Sequence, residues 1–234
     1  MYYILKMSIY RNNEVSIRKH KKNEYIIIIE NIDDPQKQQF WNNFPFDKLD
    51  ILSEKKEKGR KEYIVNSEYV KPLHVFLKEQ KVINYNQALQ FLKDSGDQIK
   101  TLEMLNLGFP FFDLKDFIVI DQHFFIMNTD RLLSIVNNQI LINTVYKKTV
   151  YFSPEMENII GIPSQINWKA SFYSLAYVIV FSMVGVHHFK QNERKNVVEN
   201  VVEDMLNKIY DTKLYWALKR CFEKDTKNRH CYII

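Results

Sequence analysis

The hydrophobic pattern changes period near residue 70, and that change constrains the fold more than any other feature. Before it, apolar residues fall in short β-rich runs, Tyr2–Tyr10, Glu14–Lys19 and Glu24–Glu30, split by Asn12-Asn13 and Lys21-Lys22-Asn23. The third run contains Ile26-Ile27-Ile28-Ile29, four β-branched residues in a row, as a strand covered on both faces requires. Asp34 as cap and Pro35 at the first helical position predict a short helix continuing through Gln36–Asn43. Two further strands are expected near Leu49–Lys55 and Glu62–Asn66, joined by the charged turn Lys56-Glu57-Lys58-Gly59-Arg60.

Beyond that point the pattern is helical. Pro72–Gln80 reads as a short helix, and Asn86–Leu107 as a long one with Ala88, Leu89, Leu92, Ile99, Leu102 and Leu105 at helical spacings. Gly108-Phe109-Pro110 ends it. The runs Phe117–Ile120 and Phe124–Met127, separated by Asp121-Gln122-His123, predict a small hairpin. The remainder is expected to be helical, over Ala170–Val184, Arg194–Ile209 and Lys213–Glu223.

Composition excludes several classes. With 46% hydrophobic and 14% aromatic residues, 234 residues can bury a core, so the chain is not of disordered type. Five glycines and six prolines are too few for collagen-like or low-complexity chains. A net charge of +5 is mild for a dedicated nucleic-acid binder. The basic runs at 18–22 and 55–61 could form one patch on the strand-rich half, but they read first as solvated turns and edge protection. Cys221 and Cys231 cannot make a disulfide framework, and such thin usage fits a reducing compartment. His187-His188 and His230-Cys231 lack metal-ligand spacing. The N-terminus reads as carrying no signal peptide, and Ala170–Val186 as a buried helix, because serines and Tyr173 interrupt it.

Four blocks then recur in a familiar order. Glu62–Val65 through Tyr69–Leu73 is similar to the last small-lobe strand and hinge of protein kinases. Phe111-Phe112-Asp113-Leu114-Lys115 is similar to the catalytic-loop motif H-R-D-L-K, and Phe152-Ser153-Pro154-Glu155 to A-P-E. Ser171–Ala176 resembles the D-x-W-S-L-G start of the central large-lobe helix. The resemblance implies an α+β, two-lobed fold. Its small lobe, residues 1–69, would be a five-stranded antiparallel sheet with one helix; its large lobe, 70–234, would be mainly helical with a shortened C-terminal end. It also implies that Glu155 pairs with Arg229. Phe125–Asn128, Phe152–Glu155 and Tyr173–Ala176 further resemble kinase-like proteins of large DNA viruses, which implies the host cytoplasm or the virion as location.

The chemistry of that family is mostly missing. Its phosphate cover is a glycine-rich loop, where this sequence has Arg11-Asn12-Asn13. The phosphate-gripping lysine of the third strand is replaced by isoleucine, and Gln36–Asn43 holds no glutamate to partner one. The catalytic histidine and arginine are Phe111 and Phe112, and the metal-binding asparagine is Phe117 or Ile118. Asp113 and Lys115 survive as relics of a catalytic loop. Either Asn128 or Asp130 stands at the position of the metal-binding aspartate. Losing one preorganised contact costs about 3–4 kcal/mol of transition-state stabilisation, so a combined deficit near ~10 kcal/mol would abolish turnover.

The expectation is therefore a catalytically inactive pseudokinase that works as a scaffold or assembly subunit through other proteins, with no cofactor, metal or small-molecule substrate. The bulky pairs Phe111-Phe112 and Phe124-Phe125 read first as core packing, and in a pseudokinase could also fill the vacated cleft. Two alternatives stand beside it. One is an active serine/threonine-type kinase using ATP and Mg²⁺ with Asp113, Lys115, Asp130 and a relocated lysine such as Lys6 or Lys19. The other is a nucleic-acid-binding module built on the basic hairpins.

Overall fold

A computed structural model describes residues 8–30, 32–57, 59–185 and 195–231. It is an α+β structure. Strands β1 (Ser8–Arg11), β2 (Val15–Lys21), β3 (Glu24–Glu30), β4 (Asp50–Glu57) and β5 (Arg60–Asn66) form one antiparallel sheet in the order β1-β2-β3-β5-β4. Helix α1 (Pro35–Asn42) follows β3, and the Asp34 carboxylate caps it by accepting the Gln36 N–H at 2.8 Å. Most of the predicted strand Tyr2–Tyr10 lies outside the described residues.

The isoleucine run divides between the two faces of its strand. Ile27 and Ile29 join Phe40 and Trp41 of α1 in the main core. Ile26 and Ile28 are buried on the opposite face, where the register sets Arg18 and Ile64 beside Ile26, and Ser16 and Glu62 beside Ile28. Among the described residues, the stems of Arg18 and Glu62 and the Ile64 side chain flank that face.

The next portion is built on α2 (Leu73–Gln80), α3 (Tyr85–Met104), α5 (Ala170–Val184), α6 (Lys195–Lys208) and α7 (Lys213–Cys221), with the single turn α4 (Pro154–Glu157) between α3 and α5. Asn84 and Gln87 close a reciprocal capping box at the start of α3. Helix α5 is buried almost all round. Among the described residues, no helix is long and apolar enough to cross a membrane. The hairpin β8 (Phe117–Ile120) and β9 (His123–Ile126) pairs with β6 (Val70–Pro72), so the chain leaving the first sheet is stitched directly to it.

One sequence expectation needs correction. The stretch beyond the hairpin is not wholly helical. Strands β10 (Leu133–Val136), β11 (Gln139–Ile142) and β12 (Ser164–Asn167) join β7 (Leu107–Gly108) in a four-stranded sheet ordered β12-β11-β10-β7. Asn137 and Asn138, with φ of 52° and 62°, form the two-residue turn between β10 and β11, a conformation that asparagine tolerates. The turns of the two basic runs lie apart, although Arg18 and Arg60, one from each run, line a common cleft. Glu24 pairs with Asn66 and Glu30 with Arg60, so the β2–β3 and β4–β5 turns sit at opposite ends of the sheet. Six residues of strand separate them, about 20 Å. The second turn is also largely neutralised, by Lys55–Glu57 at 2.6 Å, Lys56–Glu54 at 2.9 Å and Arg60–Glu62 at 2.9 Å.

Candidate functional site

Asp113 opens a tight 3₁₀ turn over Leu114–Asp116. Its carboxylate accepts the Lys115 N–H at 3.3 Å, and its own N–H donates to Asp116 Oδ2 at 2.6 Å. Lys115 is exposed. The buried group is Asp116, three residues on, which the motif comparison passes over. Asn128 Nδ2 donates to its Oδ1 at 3.0 Å, and Arg131 Nη2 donates to its Oδ2. The Asp116 carbonyl also accepts the Met127 N–H at 2.9 Å. Burial pushes the Asp116 carboxyl up to about 6, against the pull of Arg131.

Asn128 and Asp130, the two candidates for one position, take different roles. Asn128 holds Asp116, while its Oδ1 accepts the Asp130 N–H at 3.1 Å. Asp130 is an exposed turn residue. Arg131 lies 4.1 Å from the centroid of Phe111, a cation–π contact. Among the described residues, no group of three or more His, Cys, Asp or Glu side chains is placed to hold a metal ion. His187, His188 and Lys6 lie outside those residues; Lys19 is exposed, its Nζ 5.8 Å from the Tyr25 ring.

From the first sheet, Tyr10 and Glu14 reach this cluster. Asn12 shapes the β1–β2 turn: its Oδ1 accepts the N–H groups of Glu14 at 2.9 Å and Val15 at 2.7 Å. Backbone amides at this turn are thereby used internally. The Glu14 carboxylate is buried, paired with Lys37 of α1, bonded by the Trp41 indole N–H at 3.3 Å, and accepting from the Thr129 hydroxyl. Three donors from two distant segments converge on it. Tyr10 is partly buried. Burial first, then the Asp116 and Asp130 carboxylates and Glu14, holds its hydroxyl above the usual phenol range. The surroundings of Asp116 are thus carboxylate-rich.

The phenylalanine pairs belong to the core, where Phe112, Phe124 and Phe125 join one aromatic network through Phe117, Phe91, Phe109, Phe40 and Phe44. Phe111 packs on Phe152 at 4.6 Å and Tyr146 at 5.2 Å; Phe112 packs on Phe109 at 5.1 Å. Phe124 stacks on Phe91 of α3 at 4.5 Å, and Phe125 meets Phe44 at 5.4 Å. The side chain that reaches Thr129 from the sheet is Glu14. Ser174 clasps the Phe112 backbone, accepting its N–H at 2.8 Å and donating to its carbonyl at 3.1 Å. That clasp fixes the turn to α5.

The segment between β5 and β6 is likewise engaged. Asp121, at the hairpin turn, accepts from the Ser67 hydroxyl at 2.9 Å, the Glu68 N–H at 2.8 Å and the Tyr69 N–H at 3.2 Å. The Glu68 carbonyl accepts the Tyr25 hydroxyl at 3.4 Å. Behind the hairpin, buried Asp94 of α3 accepts Lys48 Nζ at 2.9 Å, Gln90 Nε2 at 2.9 Å and the Phe124 N–H at 3.0 Å, with His123 Nδ1 at 3.1 Å.

Farther away, Arg229 and Glu155 meet. Arg229 Nη1 and Nη2 donate to Glu155 Oε2 and Oε1 at 2.9 and 2.8 Å, and Nε donates to the Glu223 carbonyl at 2.6 Å. No family model matches the chain, and no curated protein matches it either.

Proposed function

We propose that the chain is a divergent kinase-like protein that has lost phosphoryl transfer and serves as a scaffold or assembly subunit for other proteins. The single observation that carries this reading is the buried Glu14 carboxylate, bonded across to Thr129 beside the Asp113–Asp130 segment. In a kinase-like arrangement a β1–β2 turn covers phosphates with free backbone N–H groups. Here the Glu14 and Val15 amides are bonded to Asn12, and a carboxylate points inward. Lys37 balances that carboxylate's charge, so what the turn has lost for phosphate binding is its free N–H donors, and the Glu14–Thr129 bond closes the space beneath it.

Other features support the same reading. A five-stranded antiparallel sheet with a helix after its third strand, followed by helices and a hairpin, has the element order of the two-lobed fold. The pair of buried Arg229 with half-buried Glu155 joins the two residues which the resemblance couples. On this account Asp113, Lys115, Asn128 and Asp130 are structural remnants. Host cytoplasm or virion is proposed as the location on the resemblance alone.

A thermal-shift titration with ATP and Mg²⁺ or Mn²⁺ tests the proposal. No stabilisation that depends on Asp113 or Asp130 is expected. A saturable shift that shrinks in Asp113→Asn or Asp130→Asn would reject it.

A further inference from the structure

The five-stranded sheet has a second feature, on the face turned away from α1. A cleft of about 490 Å³ opens there beside the β1–β2 turn, and three arginines line it: Arg11, Arg18 and Arg60. Ser8, Ser16 and Asn13 lie between them. Its carboxylates are already committed. Glu14 is bound to Lys37, Trp41 and Thr129, and Glu30 faces Arg60 at 3.7 Å. Arg60 is further held by Glu62 at 2.9 Å.

Arg11 and Arg18 have no such balance. Neither makes a hydrogen bond or ion pair with any side chain among the described residues, and the Arg18 Nε–H is buried without an acceptor. A buried guanidinium N–H left unpaired is costly, and a planar donor fork suits a phosphate or carboxylate. The register sets Arg18 opposite Ile26 and between Ser8 and the β3 strand, while Ser16 lies opposite Arg11. Two unpaired guanidinium groups therefore flank small hydroxyl side chains in a polar cleft.

We propose that this outer face carries a binding site for a phosphate-class oxyanion, with Arg11 and Arg18 as its two arms and Arg60 at its rim. The cleft is large enough for the anion and part of the chain that presents it. A phosphorylated segment of a partner protein and a free phosphate share this chemistry. The site does not depend on the reading of the Asp113 region, because its arginines are on the face opposite the donors that hold Glu14.

Calorimetric titration of the full chain tests it, using inorganic pyrophosphate in one arm and short phosphoserine peptides with their unphosphorylated counterparts in the other. Saturable binding of at least one phosphate probe is expected, weakened about tenfold or more in Arg11→Met and in Arg18→Met. The methionine keeps an apolar stem over Ile26, so a far-UV melt matching wild type separates lost charge from lost packing. If Arg18→Met fails to fold, Arg11→Met still decides, since Arg11 is exposed. Binding of the phosphopeptide alone assigns the site to a partner's segment; binding of pyrophosphate alone assigns it to a free anion. No saturable binding of either probe, or equal binding in the double methionine variant, overturns the proposal.

Discussion

Arg229 is fully buried and grips Glu155 with both terminal nitrogens, while its guanidinium carbon lies 5.1 Å from the centre of the Tyr173 ring. The pair ties the turn at α4 to the segment after α7, and α4 and α7 both pack on α5. Removing the carboxylate leaves a buried cation short of acceptors. Glu155→Gln should cost about 3 kcal/mol in urea unfolding, and Arg229→Lys a similar amount, because an ammonium cannot bridge both oxygens and the Glu223 carbonyl.

The same pair sets an acid limit. Burial alone would raise the Glu155 carboxyl, but the Arg229 hydrogen bonds, with smaller help from a backbone N–H and Ser153, hold it below its ordinary 4.5. A depressed folded value means that the stabilisation is complete above 4.5 and is lost as pH falls through the folded value. The wild-type urea midpoint should therefore fall more steeply in acid than that of Glu155→Gln.

Asp116 has the opposite sign. Its folded value is raised from 3.8 to about 6 by burial, so the folded state holds its proton more tightly than the unfolded chain does. Its contribution is fully present below 3.8 and is lost as pH rises through about 6. Between those values the midpoint should decline with rising pH in wild type. Asp116→Asn should flatten that part of the profile, at the expense of lower stability above it, where Arg131 loses its partner.

Asp94 gathers Lys48, Gln90, His123 and the Phe124 N–H on one buried carboxylate. Asp94→Ala strands several donors at once and should cost about 3–4 kcal/mol. Hydrogen exchange localises the damage: the Phe124 amide should lose protection before the amides of the five-stranded sheet do.

Asn138 has a φ of 62° in the β10–β11 turn. Asn138→Gly should be neutral or stabilising by a few tenths of a kcal/mol, whereas Asn138→Ala should cost about 1 kcal/mol. Equal thermal midpoints for the two variants would argue against this turn.

Local chemistry made much of the architecture legible. Asp34-Pro35 announced α1, the isoleucine run announced β3, and the helical periods from 86 and 170 announced α3 and α5. The β10–β11 hairpin was missed although Asn137-Asn138 between two apolar runs is its turn signal; each strand spans only four residues, too few for a clear period. The site was less legible. Glu14 receives Thr129 from 115 positions away, and Asp94 receives the Phe124 N–H from 30 away. A carboxylate whose partners are so distant carries no local mark of its role. Motif comparison led to Asp113, where the buried group is Asp116; the Asp113-to-Asp116 spacing of a capping turn was the available clue. Arg229 was reachable only through resemblance, since nothing in its own neighbourhood announces a buried cation.

Titration calorimetry of wild type and Glu14→Gln with ATP and Mg²⁺ tests the central claim most directly. With the outer arginine cleft removed by Arg11→Met and Arg18→Met, neither chain should give heat of nucleotide binding, because on the proposed reading the Glu14–Thr129 bond and the internally bonded amides of the β1–β2 turn close the place where phosphates would be held. Stoichiometric binding to wild type, weakened by Asp130→Asn, would contradict it.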